Sequence, residues 1–243
     1  MRKVIFLFIA SVSGLGLMAQ ISSTSQLLDA MQVKHRNHWF KTFTFEQETI
    51  RYSGGAARDT SIWNEAILYP DRFRIDYGEP GRFVIFRNDS AYRFSQSAFQ
   101  SKRLEPQEFL LFKGGMYFMP AYEVSGKLKN YGYDTSLFRE DRFNGQRVYV
   151  VGAKEGDLKA KQFWVNADHF YIVRRISALS DGRVLDVQYS DHKKFEGGWV
   201  EQKVIFYLQE QLIQIEKYLN IEVGQALSEQ IFEPENPKMN WWK

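Results

Sequence analysis

Apolar and polar side chains alternate with a period of two residues along most of the chain, between clusters of turn residues. In the segment 67–86, Phe73 and Ile75 alternate with Arg72 and Arg74, and a glycine- and proline-containing turn precedes a second apolar run. A period of two is the pattern of a β-strand with one buried face. The segment therefore predicts a hairpin with one strongly apolar face.

Helical patterns interrupt the strands in two places. Residues Ser22–Trp39 carry apolar side chains at helical spacing, after Ser and Thr residues that can cap a helix. Residues Glu105–Asp134 hold two short helical pieces separated by glycine and proline. Beyond this second interruption, strands are predicted at 136–138, 147–152, 161–166, 171–179, 183–189, 198–208 and 211–223.

The strand count limits the possible architectures. About ten or eleven sequential strands with short links favour antiparallel neighbours, and a sheet of that width tends to curl or split. A barrel of more than about eight strands has an interior that strand side chains alone do not fill. We therefore predict a mainly β protein with helices (α+β), in which a helix, water or a ligand occupies a concave interior. The many aromatic side chains on the strands make water the least favoured of the three.

The N-terminus predicts export from the cytoplasm. Arg2 and Lys3 precede an uncharged apolar run that ends at Ala19, which is the pattern of a secretory signal peptide. The alternative is an uncleaved membrane anchor, but the run is shorter than the roughly 20 residues that span a bilayer. We predict that residues 1–19 are a cleaved signal peptide and that 20–243 form one mature domain.

Composition and motifs argue against several function classes. The chain has 0 Cys, so it has no disulfide framework and no thiolate metal site, and its net charge of +3 is too weak to indicate a nucleic-acid partner. His35 and His38 could share a metal ion, and Asp191 and His192 could form a catalytic pair. Surface histidines and a solvated turn are the favoured alternatives. We predict no enzyme activity, no metal and no cofactor, because no nucleophile elbow, phosphate loop or dinucleotide motif is present.

A series of motifs follows in a recognisable order. Phe45-Glu46-Gln47 lies on the first strand, Pro70 opens the hairpin, and Asn88-Asp89 closes it. Later segments of the series are FWVNADHFYIVRRI, DVQYSDHKKFEGGWV and IFEP. In this order the motifs resemble those of the periplasmic outer-membrane lipoprotein carriers, the LolA/LolB-like family, over nearly the whole mature chain.

The resemblance implies an incomplete antiparallel β-barrel of about 10–11 strands, closed by a helical lid or plug over a hydrophobic cavity. It implies a periplasmic carrier that shields the acyl chains of lipoproteins, or another lipid. We predict that the protein is a monomer. An inner-membrane lipoprotein-releasing transporter and an outer-membrane acceptor are the implied partners. Two positions depart from the pattern: Tyr69 stands where the carriers have an Arg that helps to latch the lid, and Ser90 replaces the Gly of an Asp-Gly turn.

Apolar side chains on the predicted strands are the candidates for the lining of this cavity. They are Phe45, Trp63, Phe73, Ile75, Phe83, Ile85, Tyr92, Phe94, Phe163 and Val165. Three alternatives remain open: plain core packing, a lipid-sensing module that binds a membrane protein, and an exported enzyme with unrecognised chemistry. We expect Trp241 and Trp242 either to pack against the sheet or to contact a membrane interface.

Overall fold

The computed structural model describes residues 20–237 and 241–242, so the predicted signal peptide lies outside the described residues. Its helices are α1 (Thr24–His35), α2 (Glu108–Lys113) and α3 (Ala121–Asn130), with 3₁₀ turns at Gly115–Phe118 and Glu229–Phe232. None of the helices in this part of the chain has the length and apolar character needed to cross a bilayer.

Strands make up most of the remaining structure. They are β1 (Thr42–Ser53), β2 (Ala56–Leu68), β3 (Arg72–Asp76), β4 (Phe83–Arg87), β5 (Ser90–Ser95), β6 (Ala98–Leu104), β7 (Phe138–Phe143), β8 (Gln146–Val151), β9 (Gln162–Asn166), β10 (Ile172–Ala178), β11 (Val184–Ser190), β12 (Lys193–Phe195), β13 (Gly198–Val200), β14 (Lys203–Leu208) and β15 (Gln211–Val223). A 13-stranded antiparallel sheet has the order β6-β5-β4-β3-β2-β1-β15-β14-β11-β10-β9-β8-β7, and β12 pairs with β13 in a separate hairpin.

This sheet is curved but open. Its edges are β6 and β7, which do not pair with each other in the described part of the chain. The helical segment that contains α2 and α3 connects these two edges along the sequence. The predicted fold class, an incomplete antiparallel barrel with helices, is confirmed. The predicted strand count was too low for two reasons. Apolar and polar residues do not alternate strongly in β6 and in the β12–β13 hairpin, and the predicted strand 198–208 is divided into β13 and β14.

The two longest strands, β1 and β15, pair at the middle of the sheet. Phe43 lies opposite Val223, and Ile50 lies opposite Ile215, with an irregularity between Thr44 and Glu46. Strands from the first half of the chain lie on one side of this seam, and strands from the second half lie on the other. The seam therefore joins two meanders into one concave surface.

Helix α1 covers one end of the concave surface. The Ser23 hydroxyl accepts a hydrogen bond from the backbone N–H of Gln26 and so caps the helix. Leu27, Leu28 and Met31 are buried against α3 and the inner faces of β8–β10. The helix ends at His35 and not at the predicted Trp39.

The Trp39 indole fills a space between two glycines. A Cβ at Gly114 would lie 2.1 Å from Trp39 Nε1, and one at Gly198 would lie 2.4 Å from the six-membered ring. Real Cβ atoms do not approach other atoms so closely, so both positions require glycine. The indole thereby connects the α2 region to the β12–β13 hairpin.

The C-terminal segment covers part of the convex face. Arg74 and Asp76 form a buried, two-pronged ion pair with N–O distances of 2.7 and 2.8 Å. Arg74 also donates to the Ile231 carbonyl at 3.0 Å, and Trp241 Nε1 donates to Asp76 at 2.6 Å. Trp241 packs beside Phe232 and its neighbours. For Trp241, packing against the sheet is therefore the alternative that the structure supports.

Candidate functional site

A cleft of about 310 Å³ lies between α2 and the concave face of the sheet. Its apolar lining comes from both halves of the sheet and from α2. These side chains are Trp63, Phe73, Ile75, Phe86, Phe109, Leu185, Val187, Tyr189, Val204, Phe206 and Tyr218. Few polar groups share the lining: Gln47, Glu65, Gln107, Lys113, Arg175 and Glu216. A mostly apolar concavity with a few convergent polar groups is the usual form of a small-molecule site.

Helix α2 forms the roof of the cleft. Phe109 meets Phe73 edge to face, with ring centroids 4.9 Å apart. Tyr69 donates a hydrogen bond from its hydroxyl to the backbone carbonyl of Lys113 at 2.8 Å, and its ring stacks on Phe118 at 5.5 Å. The roof is therefore attached to the sheet at Tyr69 and Phe73.

Two ion pairs flank the cleft. Lys113 pairs with Glu201, and its ammonium lies 4.3 Å from the centroid of the Tyr218 ring. On the other side, Arg175 Nη2 pairs with Glu108 Oε1 at 2.7 Å. The Arg175 side chain is partly buried, its Nη1 donates to the Tyr189 hydroxyl at 3.4 Å, and its Nε donor is covered and has no partner among the described residues. Both cations of the lining are therefore held by carboxylates.

Two carboxyl groups in the cleft have altered acidity. Burial raises the pKa of Glu65 well above its usual value, and the nearby Glu216 carboxyl raises it further. Burial also raises the pKa of Glu216 to about 7, which Gln214 partly opposes through a hydrogen bond to the carboxylate. The apolar cleft therefore contains two carboxyls that ionise less readily than exposed ones.

The structure brings three of the predicted cavity residues together. Trp63, Phe73 and Ile75 all line the cleft. Phe45 lies just behind the lining, where its ring packs on Tyr218 at 4.3 Å. Phe163 and Val165 belong instead to the fully buried cluster beneath α1 and α3.

The other predicted cavity residues lie on the convex face. Phe83, Ile85, Tyr92 and Phe94 form a separate cluster, in which the Phe83 and Phe94 rings stack at 4.4 Å. These four side chains therefore do not line the cleft beneath α2. In the β3–β4 pairing Phe73 lies opposite Phe86, so Phe86 and Val84 share its inner face and the alternate residues point outward. Both faces of β4 are apolar, so alternation alone does not identify the inner one.

Histidines do not assemble a metal site in the described part of the chain. No group of three or more His, Cys, Asp or Glu side chains there is arranged to hold a metal ion. His35 Nε2 donates to the His169 carbonyl at 3.2 Å, and His192 Nε2 donates to the Ile172 carbonyl at 3.1 Å. These two histidines therefore link neighbouring segments through hydrogen bonds to the backbone.

Comparison with known proteins shows the fold. No protein-family model matches the sequence, and no curated protein matches it. Among solved structures, a DUF1329 family protein from Desulfovibrio piger has a TM-score of 0.61 at 16% identity, covering 86% of this chain and 95% of its own. A LolA superfamily protein from Nitrosomonas europaea has a TM-score of 0.59 at 15% identity, covering 88% and 98%. The fold is LolA-like.

A third LolA-like structure agrees with this. A putative outer membrane lipoprotein-sorting protein domain from Vibrio parahaemolyticus has a TM-score of 0.60 at 13% identity, covering 87% of this chain and 96% of its own. The similarity extends over nearly the whole described region.

Tyr69 joins the chain after β2 to the helical roof of the cleft. We expect Tyr69→Phe to loosen the roof, because it removes the hydroxyl bond to Lys113 and keeps the ring stack on Phe118. The net loss of stability should be about 1 kcal/mol. Amide hydrogen exchange of α2 should accelerate, while exchange in β8–β10 should not change. Equal protection of α2 in both proteins would show that Tyr69 does not hold the roof.

Proposed function

We propose that this protein is a periplasmic, non-enzymatic carrier that shields lipoprotein acyl chains, or another lipid, in the cleft beneath α2. The observation that carries the proposal is the apolar lining of a cleft of about 310 Å³. Small-molecule sites typically have volumes of about 300–1,000 Å³. The cleft with the roof in place therefore suits one short chain, and a longer chain requires α2 to move outward.

Transport between membranes is the finer part of the proposal. In it, the protein receives its cargo from an inner-membrane lipoprotein-releasing transporter and passes it to an outer-membrane acceptor. Support comes from the LolA-like fold and from the similarity to a putative lipoprotein-sorting domain. Each buried CH₂ of an acyl chain contributes about 0.8 kcal/mol, so the apolar walls supply a driving force for uptake.

Mass spectrometry tests the proposal directly. The protein is purified without detergent from the periplasm and extracted with organic solvent. A stoichiometric acylated peptide or lipid in the extract supports carriage and separates lipoprotein cargo from free lipid. An empty extract, together with no binding of a neutral fluorescent hydrocarbon probe, would overturn the proposal.

Ile75→Glu is expected to weaken binding of an apolar fluorescent probe at least tenfold, because it places a carboxylate on the cleft wall. Ile75 is half-buried, whereas Phe73 is 2% exposed, so Ile75 is the position at which a charge disturbs the core less. Probe titration measures the effect. Tyr92→Glu, on the convex face, is the matched control and should keep the affinity of the unaltered protein. Similar affinities in both variants would argue against this cleft as the binding site.

A further inference from the structure

The cleft has an unbalanced set of charges. Its two cations are occupied, since Lys113 pairs with Glu201, and Arg175 pairs with Glu108. Glu65 and Glu216 also line the cleft, and neither forms an ion pair within 4 Å in the described part of the chain. Glu216 accepts one hydrogen bond, from Gln214 at 2.6 Å. Carboxyl groups therefore outnumber the cations available to them.

Glu65 is the side chain that points to a ligand. It is 4% exposed, yet its carboxylate forms no hydrogen bond and no ion pair with any residue in 20–237 or 241–242. Its strand neighbours are apolar, with Phe45 opposite it on β1 and Ile75 opposite it on β3. A carboxyl that lines a poorly solvated cleft without a hydrogen-bond partner favours a ligand that can donate to it. The cleft thus presents an acceptor without a donor.

We propose that Glu65 and Glu216 form a head-group site for an amphiphile with a protonated primary amine, whose hydrocarbon chain lies against the apolar walls. The ammonium supplies up to three N–H donors, and its positive charge favours the ionised form of the two carboxyls, which burial disfavours. Its chain extends past Ile75 and Val187, on opposite sides of the β1–β15 seam. This inference rests on the proposed carrier function and specifies the chemistry of the ligand.

The remaining cations explain why an amine is favoured over a carboxylate. The Arg175 Nε donor is covered by protein and does not reach the cleft space. Lys113 is already paired with Glu201 and stacked over aromatic rings. A fatty acid would have to displace Glu201 from Lys113 and would place its own carboxylate near Glu216, whose pKa of about 7 leaves it mostly ionised at pH 8. Like charges in a poorly solvated site repel strongly.

A competition experiment with three ligands of equal chain length tests the inference. Dodecylamine, dodecanol and dodecanoate each displace a neutral fluorescent hydrocarbon probe from the purified protein at pH 8, below their micelle concentrations. At this pH the amine is charged, because its pKa lies near 10. We expect dodecylamine to bind at least tenfold more tightly than the other two, which is the scale of a charge-assisted hydrogen bond.

Two variants assign the preference to the carboxyls. Glu65→Gln and Glu216→Gln should each reduce the amine-to-alcohol preference to within about threefold and leave dodecanol affinity unchanged. Glu48→Gln, on the opposite face of β1, should keep the full preference. If dodecanol or dodecanoate binds as tightly as the amine, or if both cleft variants keep the preference, the head-group site is refuted while the carrier proposal stands. Failure of all three ligands to displace the probe would refute both.

Discussion

Replacing Asp76 by Ala is expected to destabilise the protein by about 3–5 kcal/mol, the usual cost of breaking a buried ion pair from one side. The Arg74 guanidinium is fully buried, and the variant removes both of its hydrogen bonds to the Asp76 carboxylate. Trp241 loses the acceptor of its indole N–H in the same step. We therefore expect the C-terminal segment to loosen as well as the fold to weaken.

Urea unfolding measures the stability loss, and limited proteolysis near the C-terminus measures the loosening. Glu79→Ala is the control, because it breaks the exposed Glu79–Arg82 pair, whose N–O distance is 3.1 Å. Exposed pairs typically contribute less than about 1 kcal/mol. Equal stability of the two variants would show that the buried pair does not anchor the C-terminal segment.

Lowering the pH from 6.5 to 4 is expected to remove about 2–3 kcal/mol of stability that depends on His35. Burial against Trp39 and Tyr117 lowers the pKa of His35 to about 4, from an ordinary value of 6.5. The unfolded chain takes up a proton below 6.5, whereas the folded protein takes it up only near 4. The unfolded state is therefore favoured progressively across this window.

Glu216 has the opposite effect on the pH dependence of stability, over an overlapping pH range. Because burial raises the pKa of Glu216 to about 7, its contribution is complete below 4.5 and is lost as the pH rises through 7. Denaturant unfolding of variants at pH 7.5 and pH 5 distinguishes the contribution of His35 from that of Glu216. Glu216→Gln should lose more stability on acidification than the unaltered protein, and His35→Phe should lose less. A pH dependence of stability that His35→Phe leaves unaltered would refute the role of His35.

Alternation predicted the sheet, and the spacing of apolar residues predicted the helices that cover it. These patterns succeed where one face of an element is apolar, as in β1 and α1. They fail where both faces are buried. Strand β4 is apolar on each side, so Phe83 and Ile85 could not be distinguished from Val84 and Phe86 without the strand register and the C-terminal segment that covers part of the convex face.

The polar part of the cleft was not predictable from local patterns. Glu65, Glu216 and Lys113 lie on β2, β15 and α2, and only the tertiary fold brings them into one space. A carboxylate in a strand is normally interpreted as solvent-facing. The one local indication was the position of Glu65 in β2, two residues from Trp63 and two from Ile67, on the face that those side chains define.

The pairing of β1 with β15 has a consequence for folding. The two strands come from distant parts of the sequence. Bringing them together costs loop-closure entropy, and the contacts between the strands offset this cost only after they have paired. The cleft takes Trp63 and Ile75 from one meander and Val187 and Tyr218 from the other. Neither meander alone encloses this cleft. The folding chain therefore has no complete cleft until its last long strand docks on β1.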